Sequence, residues 1–214
     1  MTNGTMDIDH CISWLEGFRE RVTAQKSYLT ELDSAIGDAD HGANMVRGMA
    51  AVMDKIGAAP VVTVGELFKG VGMTLVTSVG GASGPLYGTF FLRIGMNAGD
   101  VAQCDAPALG TALRAGLGGL VDRGKAEAGD KTMFDAMAPA LDAFDAELAS
   151  GGDLNSAASA ASEAAKLGRD ATRDLLARKG RASYLGERSI GHVDPGSAST
   201  ALLFEALAEA TSGE

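Results

Sequence analysis

Residues 8–29, IDHCISWLEGFRERVTAQKSYL, place apolar side chains at intervals of three, four and seven positions. Because an α-helix has 3.6 residues per turn, this spacing puts those side chains on one face of a helix. The segment therefore predicts a long amphipathic first helix whose apolar face packs into a core. The positions that define this face are Ile8, Ile12, Leu15, Phe18, Val22 and Leu29.

The same periodicity recurs along the chain and predicts seven further helices. Thr63 followed by Glu66 is typical of a capping box, and Asp153 is typical of an N-cap. No apolar run is patterned as a convincing strand, so the sequence predicts an all-α fold of eight amphipathic helices in one domain, residues 1–214. Six of these helices cover approximately residues 45–56, 63–79, 106–123, 132–148, 153–178 and 195–210, and the seventh begins near Ser83.

Charge and composition exclude several classes of function. The 214 residues carry 28 acidic and 18 basic side chains, a net charge of −10, which disfavours direct binding to nucleic acid or anionic membranes. No apolar run approaches the roughly 18 residues of a membrane span. The polar first ten residues do not resemble a signal peptide, and the two cysteines form no disulfide framework. We therefore expect a cytoplasmic protein.

Three aspartates lie close together in residues 32–44, LDSAIGDADHGAN. Asp38 and Asp40 share one side of an extended loop, and a turn at Gly37 would bring Asp33 to them. Three converging carboxylates repel unless a cation neutralises them, and short oxygen ligands favour Mg²⁺. The alternative is that these aspartates only cap helices in solvent. His41, which follows them, is either structural or part of the site.

A second segment, residues 79–88 (VGGASGPLYG), joins a glycine turn to a helix start that includes Ser83. Exposed N–H groups, a hydroxyl and the positive end of a helix suit phosphate, although glycine turns before helices are common. Residues 124–133, GKAEAGDKTM, nearly spell a P-loop, but Asp130 interrupts the Gly-Lys-Thr pattern and no strand precedes it. The sequence therefore favours a charged connection there.

The connection at residues 179–196, KGRASYLGERSIGHVDPG, is unusually long and glycine-rich, which is typical of functional lids. Arg181 can bind a phosphate through two N–H groups. The end of the segment, Asp194–Gly196, fits a purely structural role equally well, as a turn followed by the start of a helix. No order of Ser, His and Asp and no reactive cysteine setting is evident, which disfavours covalent catalysis.

Together these segments resemble the family of nucleotide-binding L subunits of bacterial dihydroxyacetone kinases. The matching stretches are LDSAIGDADHGANM, GMTLVTSVGGASGPLYGTFF, RGKAEAGDKTM and KGRASYLGERSIGHVDPG, which span residues 32–196 in that order. The resemblance implies a barrel of eight amphipathic helices with ADP held at one end. It also implies that residue 39, an alanine here and a glycine in many relatives, lies between metal ligands.

The resemblance assigns a role to each matched residue. It implies that two Mg²⁺ ions bridging the nucleotide phosphates bind to Asp33, Asp38 and Asp40, and that Asp38 and Arg181 are needed for transfer. It further implies that the nucleotide is lined by His41, Gly42, Ala43 and Asn44, and that Ala82 and Ser83 contact its phosphate. Gly124 and Met133 would flank the adenine, and the site would be closed by Arg181, Asp194, Pro195 and Gly196.

The chain contains nothing that matches the family's sugar-binding K module, which holds dihydroxyacetone on a histidine. A free-standing L chain resembles the phosphoenolpyruvate-dependent system, in which a phosphocarrier M subunit rephosphorylates retained ADP. The expected partners are therefore the K and M subunits. Two alternatives stay open: an ATP-dependent module for another small ketose or tetrose, and a nucleotide-state sensor that binds a transcription regulator.

Overall fold

The computed structural model describes residues 4–212. Within that range the chain forms nine α-helices, two 3₁₀ segments and one pair of short strands, so the prediction of an all-α fold is confirmed. The helices are α1 Ile8–Ala24, α2 Lys26–Ile36, α3 His41–Ala58, α4 Val64–Ser78, α5 Ser83–Ala98, α6 Ala106–Gly124, α7 Phe134–Ala149, α8 Leu154–Ala171 and α9 Pro195–Thr211, and the 3₁₀ segments are Thr172–Asp174 and Arg181–Ser189.

The predicted single helix over residues 8–29 is wrong, because the chain bends at Gln25 between α1 and α2. Gln25 has φ −96° and ψ 13°, and its N–H group donates to the carbonyls of Arg21 and Thr23. Val22 and Leu29 are both fully buried on either side of the bend. The apolar spacing therefore continues unchanged through Gln25 and does not reveal it.

The α8 helix ends at Ala171, seven residues before the predicted end near Arg178. Thr172 turns its hydroxyl back to donate to the carbonyl of Arg169 at 2.6 Å. The chain then forms only one 3₁₀ turn, Thr172–Asp174, and the carbonyls of Thr172 and Leu175 accept from the buried ammonium of Lys131. This interaction comes from a distant part of the sequence, so an alanine-rich pattern could not indicate it.

Two strands were not predicted: β1, Thr5–Asp7, and β2, Gln103–Asp105, which pair antiparallel with Met6 opposite Cys104. Each strand ends in an aspartate that caps the next helix. Asp7 accepts from the N–H of His10, and Asp105 accepts from the N–H of Ala108, both at 2.9 Å. Strands of three residues are too short to give a period-two pattern.

The core is built from aromatic side chains and from closely packed helices. Trp14 lies edge-on to Phe68, with ring centroids 5.6 Å apart, and donates from Nε1 to the carbonyl of Leu203. Helices α4 and α5 pack backbone to backbone, because a Cβ at Gly72 would lie only 2.6 Å from the carbonyl oxygen of Gly88. This close approach explains how a chain with few aromatic residues fills its interior.

The glycine-rich connections gather at one end of the bundle. They join α2 to α3, α4 to α5 and α6 to α7, and a fourth joins the 3₁₀ segment Arg181–Ser189 to α9. Among residues 4–212, every helix is too short or too polar to span a lipid bilayer. The connections at this end surround the cavity in which the predicted site residues lie.

Candidate functional site

A cavity of about 460 Å³ opens at the glycine-rich end of the bundle. All but three of the predicted site residues line it; the exceptions are Gly42, Ala43 and Asn44, which lie in the first turn of α3. The predicted residues that line the cavity are Asp33, Asp38, Asp40, His41, Ala82, Ser83, Gly124, Met133, Arg181, Asp194, Pro195 and Gly196.

The three aspartates converge at one side of this cavity. One carboxylate oxygen from each of Asp33, Asp38 and Asp40 lies within 4.8 Å of the other two. Asp33, in the last turn of α2, also accepts at Oδ2 from the backbone N–H groups of Asp40 and His41, at 2.8 and 3.0 Å. Asp33 therefore caps α3 and contributes to the acidic cluster, so the two sequence interpretations of this residue are compatible.

The backbone of the α2–α3 connection is shaped by a small residue and a strained one. A Cβ at Gly37 would overlap the Asp33 carboxylate, so only glycine allows this approach. Ala39 has φ +63°, in the left-handed region that L-residues other than glycine and asparagine rarely adopt. This turn at residue 39 separates Asp38 from Asp40 without removing either carboxylate from the cluster.

The donor set fits a hard divalent cation. All three groups are carboxylates, and oxygen ligands on short side chains are those that Mg²⁺ prefers. Among residues 4–212, one guanidinium forms an ion pair with them: Arg181 Nη2 lies 2.9 Å from Asp38 Oδ2. A single positive charge leaves an excess of negative charge on three carboxylates, which a bound cation would neutralise.

His41 lies behind the acidic cluster and is joined to two helices by hydroxyl groups. Its Nδ1 is 3.1 Å from Ser83 Oγ at the start of α5, and its Nε2 is 2.9 Å from Ser199 Oγ in α9. Ser199 in turn lies 2.8 Å from the hydroxyl of Tyr87 and donates to the carbonyl of Gly196. Burial lowers the pKa of His41 even though Asp33 and Asp40 raise it.

Through Ser83, this network reaches the start of α5, where backbone N–H groups have no partner within the helix. Ser83 is the first residue of α5, and Gly81, with φ +66°, forms the turn before it. Asn44 lies beneath this turn, because a Cβ at Gly80 would come within 2.9 Å of its Oδ1. Asn44 also accepts from Arg47 Nη2 at 2.6 Å, so it contacts the turn from below and not from the cavity.

A second wall of the cavity is apolar. Leu86, Leu120 and Met133 line it together with Gly124. A Cβ at Gly124 would lie 3.0 Å from Leu86 Cδ2. The wall therefore offers a narrow apolar surface on which a flat ring can pack.

Asp194 forms the remaining side of the cavity and caps α9. Its Oδ2 accepts from the N–H of Ser197 at 2.6 Å. Burial of this carboxyl raises its pKa from 3.8 to about 6, although the hydrogen bonds from Ser197 oppose the shift. The negative charge of Asp135 raises the pKa of Asp194 further, and Lys131 lowers it.

Sequence reasoning missed several residues that line the cavity, among them Arg123, Lys131 and Lys179. Lys131 lies in the segment that nearly matches a P-loop, so the sequence drew attention to this lysine. Its partners are backbone carbonyls, which the sequence could not indicate. Arg123 and Lys179 end or follow helical segments and gave no signal beyond their charge. Ser199 reaches His41 from a distant helix, and Tyr87 in turn contacts Ser199, which no local motif indicates.

Comparison with known proteins gives one family. Residues 35–209 match the family model described as the DAK2 domain. Over 203 residues the chain is 46% identical to PEP-dependent dihydroxyacetone kinase 1, ADP-binding subunit DhaL, of Listeria innocua, which covers 95% of this chain and 96% of that subunit. It is 32% identical to D-erythrulose kinase of Mycolicibacterium smegmatis over 91% of this chain, but it spans only 34% of that longer protein.

A solved structure has the same fold. The dihydroxyacetone kinase of C. freundii in complex with AMP-PNP and Mg²⁺ superposes with a TM-score of 0.69 at 28% sequence identity. The match covers 92% of this chain and 33% of that chain. The likeness therefore extends over nearly the whole bundle described above.

Proposed function

Because the chain belongs to the DAK2 domain family, we propose that it is the ADP-binding subunit of a phosphoenolpyruvate-dependent dihydroxyacetone kinase. The observation that carries the proposal is the convergence of Asp33, Asp38 and Asp40 within 4.8 Å, in the same cavity as the start of α5. A relative named as such a subunit matches over nearly its full length, which supports the same role.

In this proposal the retained ADP accepts a phosphoryl group from a phosphocarrier M subunit and passes it to dihydroxyacetone on a K subunit. The subunit's own task is to hold the nucleotide with its terminal phosphate accessible at the cavity mouth. Phosphoryl transfer depends chiefly on positioning and charge stabilisation, so covalent participation by this chain is not needed.

We propose that the three aspartates hold two Mg²⁺ ions. Bound magnesium would neutralise phosphate charge and orient the phosphate oxygens. Asp33 is held in place by the hydrogen bonds that it accepts from two backbone N–H groups. Asp38 and Asp40 lie on the connection between α2 and α3 and are more exposed. One rigid and two adaptable ligands allow the cluster to adjust as the cations enter.

The nucleotide would lie across the cavity from the acidic cluster to the apolar wall. We assign the phosphates to the N–H groups at the start of α5, with Ala82 and Ser83, and to Arg181. We assign the adenine ring to the apolar surface formed by Gly124 and Met133. Asp194–Gly196 would close the cavity beside it, where Met133 Cβ lies 3.3 Å from a Cβ built at Gly196.

The proposal is tested by purifying the chain and measuring bound ADP and Mg²⁺, then transfer with added K and M subunits and phosphoenolpyruvate. We expect Asp38→Asn to abolish transfer, because it removes one charge from the cluster while keeping the shape of the side chain. Asp54→Asn is the matched control, since Asp54 is exposed on α3 away from the cavity. Normal transfer by Asp38→Asn would refute the assigned role.

A second function is favoured by one observation, the likeness to an erythrulose kinase. In that case the chain would use ATP to phosphorylate another small ketose or tetrose held by a partner. Turnover on exchangeable ATP, without phosphoenolpyruvate and the phosphocarrier, would favour this alternative over the first. Binding to a transcription regulator and a cytoplasmic location stay predictions.

A further inference from the structure

Lys131 is one of the most deeply buried side chains, with 1% of its surface exposed. Its ammonium lies among backbone carbonyl groups from two separate chain segments. Four backbone carbonyl oxygens surround Nζ: those of Thr172 at 2.8 Å, Arg173 at 3.4 Å, Leu175 at 3.1 Å and His192 at 2.6 Å.

This ammonium is solvated by neutral oxygens. Within residues 4–212, no carboxylate oxygen lies within 4.0 Å of it. A buried cation is costly unless hydrogen bonds replace its water shell, and an ammonium has three N–H donors for that purpose. Asp194 and Asp174 act on it only from a distance, and burial lowers its pKa. The carbonyl cage therefore takes the place of hydration.

The cage joins the parts of the chain that form two sides of the cavity. Thr172–Leu175 follow α8, and His192 precedes the start of α9. Neighbouring hydrogen bonds close the same joint: Asp194 N–H donates to Thr172 Oγ1 at 3.0 Å, and Ser197 Oγ donates to the carbonyl of Thr132 at 2.6 Å. Lys131 itself has φ +62°, a strained conformation that its four contacts maintain.

We propose that Lys131 is a positioning residue whose ammonium acts as a tethered monovalent cation, holding the wall that carries Met133 against the wall formed by Asp194–Gly196. The inference rests on the proposed function for its statement that these walls enclose a nucleotide. It gives a role to a lysine whose segment nearly matches a P-loop but whose ammonium is bound by four backbone carbonyls. Without the ammonium, four carbonyl dipoles would face one another and the joint would open.

The first test compares Lys131→Met with Lys125→Met by calorimetric titration with Mg·ADP, after removal of bound nucleotide. Methionine keeps the apolar stem and removes the charge, and Lys125 is an exposed lysine of the same segment that also has positive φ. We expect Lys131→Met to weaken Mg·ADP binding about tenfold, the loss of roughly one charged hydrogen bond, and Lys125→Met to leave it unchanged. Equal binding by wild type and Lys131→Met would overturn the inference.

The second test separates a cation requirement from a packing requirement. Lys131→Ala lacks the atoms of one propylammonium ion, so we expect propylammonium to restore Mg·ADP binding. We expect 1-propanol, and tetramethylammonium at equal ionic strength, to fail. Restoration by 1-propanol as well would show that only volume matters and would overturn the inference.

A third measurement needs no variant and decides the matter if both substitutions unfold the chain. In wild-type protein labelled with ¹⁵N in lysine and with ¹³C in the backbone carbonyls, we expect a slowly exchanging Lys131 ammonium resonance with couplings to carbonyl carbons. A rapidly exchanging ammonium would overturn the cage. Wild type that binds no Mg·ADP would instead refute the proposed function, so the two failures are distinguishable.

Discussion

Arg181 and Asp38 form an ion pair across the mouth of the cavity, with 2.9 Å between Nη2 and Oδ2. The Arg181 side chain is 66% exposed and that of Asp38 is 34% exposed. Exposed pairs of this kind contribute about 0–1 kcal/mol to stability. The pair is therefore too weak to be needed for folding, and the arginine is free to leave the carboxylate for an incoming phosphate.

We therefore expect Arg181→Met to weaken Mg·ADP binding about tenfold, because a charged hydrogen bond to phosphate is lost, while the free energy of unfolding changes by less than about 0.5 kcal/mol. Arg181→Lys should be intermediate, since lysine cannot form two parallel N–H bonds. Arg188→Met, from the same 3₁₀ segment but outside the cavity, is the control. Calorimetric titration and urea denaturation measure both quantities; unaltered affinity in Arg181→Met contradicts the assignment.

The raised pKa of Asp194 predicts a stability change of definite sign with pH. The unfolded carboxyl ionises near 3.8, and the folded one holds its proton to about 6. Between these values the folded state binds more protons, so the contribution of Asp194 to stability falls as pH rises. The free energy of unfolding of wild type minus that of Asp194→Asn should therefore decline from about pH 4 to about pH 6 and be level above it.

Asp153 provides the control for this measurement. It also caps a helix, but the backbone N–H of Ser156 lowers the pKa of its exposed carboxyl. Its contribution is present above pH 3.8 and lost only as pH falls through the lowered value. Wild type minus Asp153→Asn should thus be level between pH 4 and 6. A level difference for Asp194→Asn over the same range would show that its carboxyl is not held protonated.

Ser199 is predicted to stabilise the fold because its hydroxyl forms hydrogen bonds with two buried side chains, His41 and Tyr87. Ser199→Ala removes the partner of His41 Nε2 and one of the two partners of the Tyr87 hydroxyl. Leaving buried polar groups unpaired costs about 1–3 kcal/mol, so we expect a loss of that size in urea denaturation. Ser159→Ala, an exposed change on α8, should be neutral within about 0.5 kcal/mol. Equal stability of the two variants would mean that water replaces the hydroxyl.

The sequence predicted the helices well where their ends depend on neighbouring residues. Thr63 Oγ1 accepts from the N–H of Glu66 at 3.1 Å, and Asp153 Oδ1 accepts from the N–H of Ser156 at 2.8 Å. These caps involve residues three positions apart, so a local pattern contains the whole interaction. The gathering of the aspartates was also predictable, because a single turn joins them.

Interactions between distant residues could not be predicted in this way. The bond between His41 and Ser199 joins residues 158 positions apart. The carbonyl cage of Lys131 is formed by backbone groups, which are the same in every residue type and therefore leave no pattern in the sequence. Both determine how the cavity walls meet, and both become visible only when the helices are packed. Motifs therefore located the residues of the candidate site, while their supports came from the fold.

The positive φ of Ala39 leads to a prediction that separates backbone strain, measured as stability, from the acidic cluster, measured as Mg·ADP affinity. Its φ of +63° strains any residue with a Cβ, and glycine removes the strain at the cost of a more flexible unfolded chain. We expect Ala39→Gly to raise the free energy of unfolding by about 0.5–1 kcal/mol in urea denaturation. Ala35→Gly, in the regular helix α2, should lower it by about 1 kcal/mol. Mg·ADP affinity should be unchanged in Ala39→Gly, because neither neighbouring carboxylate is altered; a destabilised Ala39→Gly would show that the left-handed turn is not the native conformation.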